Sequence, residues 1–107
     1  MNCFIIKAMK IAPQQQTRII DICRRYGVRR MQMFGSAAVG RERPDSDVDL
    51  LVEFIPGKYP TGFGLVDMQD ELSGVFEGRP VDLAFPSILA NPFRRLAIEP
   101  QLRVIYQ

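Results

Sequence analysis

A chain of 107 residues with a net charge of +2 is long enough for one domain with a modest hydrophobic core, and we expect a single domain over residues 1–107. Its composition, 47% hydrophobic and 24% charged, excludes an intrinsically disordered protein. Fourteen basic residues against twelve acidic ones are too evenly balanced for a nucleic-acid-binding signature, which argues against direct nucleic-acid binding.

The sequence contains no histidine, which removes several kinds of catalytic site at once. Ser-His and Cys-His nucleophile pairs, histidine bases and His-ligated zinc or haem are excluded. The two cysteines, Cys3 and Cys23, are too few for a four-thiolate metal site. One disulfide is conceivable, but two reduced thiols in a cytoplasmic protein are the preferred interpretation. Any catalysis must therefore depend on carboxylates, hydroxyls, backbone amides and arginines.

No stretch of the sequence has the length and hydrophobicity of a membrane-spanning or export segment. A spanning helix needs about 20 apolar residues. The apolar run from Cys3 to Ile6 meets Lys7 and Lys10 before it reaches the roughly 7–15 apolar residues of a signal-peptide core. We therefore expect a protein that does not bind membranes and stays in the cytoplasm.

Helical and extended patterns alternate through the first half of the chain. Apolar residues recur at helical spacing up to Tyr26, and Gly27 follows as glycine commonly does at the end of a helix. The predicted elements are a helix over Pro13–Tyr26, a strand over Val28–Phe34, one or two helical turns between Gly35 and Arg41, and a charged loop up to Asp45.

The second half contains the clearest strand pattern. From Asp47 to Phe54, Val48, Leu50 and Val52 alternate with Asp47, Asp49, Leu51 and Glu53, as expected for a strand with one face in the core. The later predicted elements are a helix over Leu65–Phe76, a strand over Val81–Phe85, a short helix over Phe93–Ile98 and a terminal strand over Val104–Tyr106. Strands that alternate with helices predict an α/β (α+β) fold, in which helices pack on one small mixed sheet.

Three aspartates occupy strand positions, where aspartate is disfavoured. Asp47 and Asp49 are two residues apart, so we predict that they share one face of a strand while Val48 and Leu50 share the other. Asp82 has the same relation to its apolar neighbours on another strand. If the two strands are adjacent, the carboxylates converge, and such a cluster repels itself unless cations bind it. Mg²⁺ and Mn²⁺ prefer oxygen ligands of this kind.

The pair Gly35-Ser36 lies between a predicted strand and the start of a helix. Free amides at a helix N-terminus attract phosphate, glycine lets the backbone approach closely, and the Ser36 hydroxyl adds a donor. Gly-Ser alone is most often a helix cap, and Asp-x-Asp alone is common in turns. Their combination favours a functional site, and it indicates phosphoryl-type transfer from a nucleoside triphosphate.

The motifs GSAAVGR (35–41) and SDVDLLV (46–52) resemble the signature of nucleotidyltransferases related to DNA polymerase beta. The short chain and the third aspartate, Asp82, resemble more narrowly the minimal nucleotidyltransferases, which are MntA-like antitoxins paired with HEPN toxins. The resemblance implies a polymerase-beta-like nucleotidyltransferase fold. It extends over nearly the whole chain and is weakest over Met1–Ala12.

The resemblance also implies a role for each residue of the motifs. Asp47 and Asp49 would hold two Mg²⁺ ions, and Asp82 would complete the catalytic metal site and help to deprotonate the attacking hydroxyl. Gly35 and Ser36 would bind the β- and γ-phosphates of ATP, the nucleotide donor, as pyrophosphate leaves.

Arg41, shortly after the Gly-Ser pair, is a further candidate for a contact with the triphosphate, although a solvated loop arginine is the more ordinary interpretation. Larger relatives carry an added domain that binds base and acceptor, and none is visible here, so the acceptor is expected on a partner protein. In the resembling family, that partner is a HEPN ribonuclease toxin, which forms a hetero-oligomer with the antitoxin and is silenced when its tyrosine receives AMP. Two alternatives stay open: an antitoxin that masks its toxin without catalysis, and nucleotidyl transfer to a small molecule or an RNA end.

Overall fold

The computed structural model describes residues 10–40 and 46–107. Its helices are α1 (Pro13–Tyr26), α2 (Gly35–Val39), α3 (Gly64–Val75) and α4 (Pro92–Ile98). Its strands are β1 (Val28–Phe34), β2 (Val48–Phe54), β3 (Val81–Ala84) and β4 (Arg103–Tyr106). Two 3₁₀ turns, which we did not predict, lie at Pro86–Ala90 and Glu99–Gln101. None of the described helices is both long enough and apolar enough to cross a membrane.

The strands form one mixed sheet in the order β3-β2-β1-β4. β1 pairs antiparallel with both β2 and β4, whereas β2 and β3 are parallel and are connected through α3. A small mixed sheet with helices packed on it confirms the predicted fold class. Apart from α2, which ends two residues early, the predicted helices and strands agree with the observed ones to within one residue at each end.

Helix α1 has its predicted limits, and a hydrogen bond is made at each of its ends. At its start, the side-chain oxygen Oε1 of Gln15 accepts a hydrogen bond of 2.8 Å from the backbone N–H of Ala12. At its end, Gly27 adopts φ +74° and donates its N–H to the carbonyl of Cys23. A Cβ atom at position 27 would lie 2.5 Å from Cβ of Lys58, so both the conformation and the space favour glycine at this position.

The main core lies between the sheet and helices α1 and α3. In the centre of the sheet, Met31 and Met33 pair with Val52 and Leu50 across the β1–β2 ladder, and all four side chains are fully buried. The two helices contribute the buried residues Ile19, Ile22, Cys23, Met68, Leu72 and Val75. The thiol of Cys23 is free, in agreement with the preferred interpretation, and Cys3 lies outside the described residues.

The segment between β3 and β4 connects the two edges of the sheet. It contains the first 3₁₀ turn, which contacts β2, then α4, and then the second 3₁₀ turn, which contacts α2. Ile98 is buried at the end of α4 but is not part of the main core, and the six preceding residues of the helix are exposed. This segment therefore ends beside α2, next to the Gly-Ser motif.

Candidate active site

The amino-terminal ends of β2 and β3 lie side by side and carry two aspartates in register. Asp49 pairs with Asp82 in the parallel ladder, which places their Cα atoms about 4.8 Å apart, the usual spacing of neighbouring strands. Val48 and Val81, which precede them and pair with each other, are buried in the core. Because side chains alternate along a strand, both carboxylates project from the other face of the sheet. The strands that carry Asp49 and Asp82 are therefore adjacent, as the predicted convergence of their carboxylates required.

Asp47 does not lie on the strand as predicted, because β2 begins one residue later. The N–H of Val48 makes the first bond toward the neighbouring strand, to the carbonyl of Pro80 at 2.8 Å. The carbonyl of Ser46, two residues before Val48, instead accepts a hydrogen bond of 2.9 Å from Nε of Arg79. Asp47 is consequently an exposed residue at the entrance to β2, and its backbone precedes the strand pairing that orients Asp49.

The aspartates nevertheless form one electrostatic cluster. Burial, followed by the negative charges of Asp82 and Asp47, raises the pKa of the Asp49 carboxyl above its ordinary value. Within residues 10–40 and 46–107, no three acidic, cysteine or histidine side chains are close enough together to hold one metal ion. The predicted convergence is therefore an open cluster and not a closed cage. An open set of carboxylates suits Mg²⁺, which usually keeps several waters and is shared with substrate phosphates.

Gly35 brings the Gly-Ser motif into contact with this cluster. It follows β1 directly and adopts φ +75°, a conformation that residues with a Cβ atom rarely adopt. A Cβ at this position would collide with Oδ2 of Asp49 and lie 3.2 Å from its Cγ. The missing side chain therefore creates the space in which the Asp49 carboxylate lies.

Ser36 is the half-buried second residue of α2. The first amides of a helix have no carbonyl one turn earlier to bind, so the amides at the start of α2 need partners from outside the helix. Ala37 and Ala38 are buried and attach this short helix to the rest of the fold. Arg41 lies outside the described residues, and its contact with the triphosphate stays a prediction.

Three further side chains hold the backbone of the site, and sequence reasoning missed all of them. Nε of Arg79 donates to the carbonyl of Ser46, Nε2 of Gln69 donates to the carbonyl of Val81, and Oε1 of Gln101 accepts from the N–H of Gly35. Glutamine and arginine are ordinary surface residues. Their types and spacing carried no signal that could have identified them before the strand order was known.

Comparisons with known proteins point to one family. Residues 17–105 match the family model described as a nucleotidyltransferase domain. A protein of Methanocaldococcus jannaschii, named as a candidate protein adenylyltransferase, is 32% identical over 78 residues, which cover 73% of this chain and 77% of that protein. The protein adenylyltransferase MntA of Thermococcus cleftensis is 35% identical over 71 residues, which cover 66% of this chain and 69% of that protein.

Two solved structures share the fold. One, described as a candidate minimal nucleotidyltransferase, superposes with a TM-score of 0.62 at 33% identity, over 78% of this chain and 83% of that chain. The other is a toxin-antitoxin crystal structure with AMP-PNP, with a TM-score of 0.63 over 85% of this chain and 72% of that one. At 17% identity, this second similarity concerns the fold alone.

Proposed function

Because this chain belongs to the family of nucleotidyltransferase domains, we propose that it transfers AMP from ATP to a tyrosine hydroxyl of a HEPN-type ribonuclease toxin and so neutralises the toxin. The observation that carries the proposal is the register pair of Asp49 and Asp82, with the Asp49 carboxylate lying against Gly35. Relatives named as protein adenylyltransferases support a protein acceptor. The toxin-antitoxin complex with AMP-PNP supports a toxin as the partner and ATP as the donor.

The three aspartates are the residues that would hold Mg²⁺. Their donor type fits, since carboxylate oxygens suit Mg²⁺ and the charges of Asp82 and Asp47 act on Asp49. Because no three of the described acidic side chains are close enough together for one ion, the triphosphate and water would supply the remaining ligands. When bound, two such ions would neutralise charge on the triphosphate and lower the pKa of the acceptor hydroxyl. The exposure of Asp82 supports a role in accepting the proton of that hydroxyl.

In the proposed reaction, the tyrosine oxygen of the partner forms a bond to the α-phosphorus of ATP. The bond between that phosphorus and the bridging oxygen breaks, and pyrophosphate leaves with the electron pair. The Ser36 amide and hydroxyl would donate to the pyrophosphate, where negative charge increases in the transition state, and Gly35, whose own N–H binds Gln101, would let the phosphates approach the backbone closely. The acceptor proton passes to Asp82 and from there to water.

The decisive experiment separates this enzyme from an antitoxin that only masks its toxin. Asp47→Asn, Asp49→Asn and Asp82→Asn keep the side-chain shape and remove one negative charge each. Asp70→Asn is the matched control, because Asp70 is an exposed aspartate of α3. Each protein is incubated with ATP, Mg²⁺ and a HEPN-type ribonuclease as the candidate partner. Mass spectrometry then detects AMP on the partner, and an RNA-cleavage assay measures its activity.

We expect wild type and Asp70→Asn to add AMP and silence the ribonuclease. The three site variants should still bind the partner, but they should add no AMP and leave the ribonuclease active. If they silence it as well as wild type does, neutralisation works by masking. Transfer of labelled AMP to RNA or to a small molecule, with none on the partner, would instead identify a different acceptor.

Two further measurements test the assigned binding residues. ATP should bind more tightly with Mg²⁺ than without it, and equal affinities by calorimetry would contradict the metal assignment. Ser36→Ala should slow transfer by about 10-fold or more at saturating ATP, because one donor to the leaving group is lost. Unchanged turnover would reduce the Gly-Ser motif to an ordinary helix start.

A further inference from the structure

The amide of Gly35 is capped by a side chain from the far end of the chain. Its N–H donates a hydrogen bond of 3.0 Å to Oε1 of Gln101. Helices usually satisfy their first amides with the side chain of a Ser, Thr, Asp or Asn at the N-cap position. In α2 the N-cap residue is Phe34, which makes no such bond because its side chain has no acceptor. Gln101 supplies the missing acceptor.

Strand register explains why Gln101 reaches this position. Met33 of β1 is paired with Arg103 of β4 in an antiparallel ladder. Continuing this register by two residues places Gly35 opposite Gln101. The 3₁₀ turn Glu99–Gln101 contacts α2 and is closed by a bond of 3.3 Å from the N–H of Leu102 to the carbonyl of Glu99. Gln101 is therefore held against the Gly35 amide by regular backbone structure.

Gly35 is consequently constrained on two sides. The carboxylate of Asp49 lies against its Cα, and Gln101 holds its N–H. The Gln101 bond fixes the plane of the peptide between Phe34 and Gly35, and relative to that plane the dihedral angles of Gly35, with φ at +75°, set the direction of the following amide, that of Ser36. The pairing of Asp49 and Gln101 around one glycine thus sets where the Ser36 donors point.

We propose that Gln101 is a positioning residue of the nucleotide site, whose side-chain oxygen orients the Gly35-Ser36 turn toward the leaving pyrophosphate. The proposal rests on the function proposed above. It requires a neutral acceptor at position 101. A carboxylate would hold the same N–H, but it would add a negative charge beside Asp49 and the triphosphate.

Two substitutions separate the hydrogen bond from the charge. Gln101→Met has a similar length and no acceptor oxygen, whereas Gln101→Glu keeps an acceptor and gains a charge. For Gln101→Met, we expect amide exchange at Gly35, measured by NMR, to accelerate about fivefold, the value of one hydrogen bond. Its kcat for AMP transfer should fall by a similar factor, with little change in KM for ATP. For Gln101→Glu, Gly35 should stay protected while ATP binding weakens.

Gln16→Met is the matched control. Gln16 also bonds to the backbone, since its Nε2 donates to the carbonyl of Ile105 in β4 at 2.9 Å, but it lies on α1. This variant should keep wild-type kcat and Gly35 protection at a temperature at which all variants are folded. If Gln101→Met also keeps both, Gln101 has no positioning role and the proposal is overturned.

ATP affinity, measured by calorimetry without an acceptor, distinguishes this proposal from the proposed function. A wild-type protein that binds ATP but transfers nothing to the HEPN partner would overturn the proposed function. Gln101 is then tested by binding alone, and Gln101→Glu must bind ATP several-fold more weakly than wild type. Equal ATP affinities of Gln101→Glu, Gln101→Met and wild type would overturn the role of Gln101, whatever the acceptor is.

Discussion

The two faces of the sheet are made by the same strands but differ in what they contain. On the face toward α1 and α3, strand β2 contributes Val48, Leu50 and Val52, all fully buried. On the other face, the same strand carries Asp49 half-buried, next to the exposed Asp82 of β3. The helix face is closed and apolar, whereas the other face carries the charged and partly open aspartate pair beside Leu51, which is buried. Alternation along one strand thus separates stability from chemistry, and substitutions on the two faces should have different consequences.

The largest effect on stability is expected on the helix face. Leu50→Ala removes a fully buried side chain and should lower the free energy of unfolding by about 2–5 kcal/mol. Leu96→Ala is the control, because Leu96 on α4 is 76% exposed, and it should change the free energy by less than about 0.5 kcal/mol. Urea denaturation of both variants measures the difference. Similar losses would show that α4 is as important to stability as the core.

A substitution at Gly35, in the Gly-Ser turn, should cause a smaller loss of stability together with a loss of Mg²⁺-ATP binding. Gly35→Ala forces an alanine into φ +75° at a cost of about 1–2 kcal/mol and displaces the Asp49 carboxylate. Gly57→Ala shares only the first cost, since Gly57 has φ +82° and no atom within 4 Å of a Cβ there. Calorimetry should show weaker Mg²⁺-ATP binding for Gly35→Ala alone. Equal binding by the two variants would contradict the close approach of Asp49.

An ion-pair network between α1 and α3 should contribute less, and in a pH-dependent way. Arg25 and then Tyr26 bond to Glu71, and these bonds lower the pKa of the Glu71 carboxyl below its ordinary value of 4.5. A lowered pKa in the folded state stabilises the protein above the unfolded pKa, and this contribution is lost as pH falls through the folded value.

Glu71→Gln should therefore lower the free energy of unfolding by less than about 1 kcal/mol at pH 7, because the pair is partly exposed. The difference from wild type should be smaller at pH 3, below the ordinary glutamate pKa of 4.5, than at pH 7. Unfolding in urea at the two pH values measures it, and a deficit of equal size at both would contradict the assigned cause.

The smallest expected effect concerns the rate at which a thiol reagent labels Cys23, which is buried on the helix face of the sheet. Burial raises the pKa of this thiol to about 12, so little reactive thiolate is present at pH 7. In a Cys3→Ser background, a thiol reagent should label the native protein slowly and the urea-unfolded protein rapidly. Asp82→Asn should leave the native rate unchanged, whereas Leu50→Ala should raise it. Rapid native labelling in the parent would show that the core around Cys23 opens readily.

Local patterns in the sequence were sufficient for most elements and for the motif residues. Helix α1 was predicted with its observed limits because its apolar residues recur at helical spacing and Gly27, which ends it, acts on the neighbouring backbone. The register of β2 followed from the alternation around Leu50, since a shift by one residue would turn the apolar side chains out of the core. By contrast, the start of β2 was misplaced at Asp47, because the end of a strand depends on where its neighbour begins.

What the sequence determined by itself is the order of helices and strands and the identity of Gly35, Ser36 and the aspartates as candidate site residues. Only the tertiary structure decided that β3 lies next to β2, so that Asp82 stands beside Asp49, and that β4 lies next to β1, so that Gln101 meets the Gly35 amide. The physical reason is that turn and capping preferences act over a few residues. Strand order, in contrast, is set by how the whole sheet buries its apolar face, and 66 residues separate Gln101 from the amide that it caps.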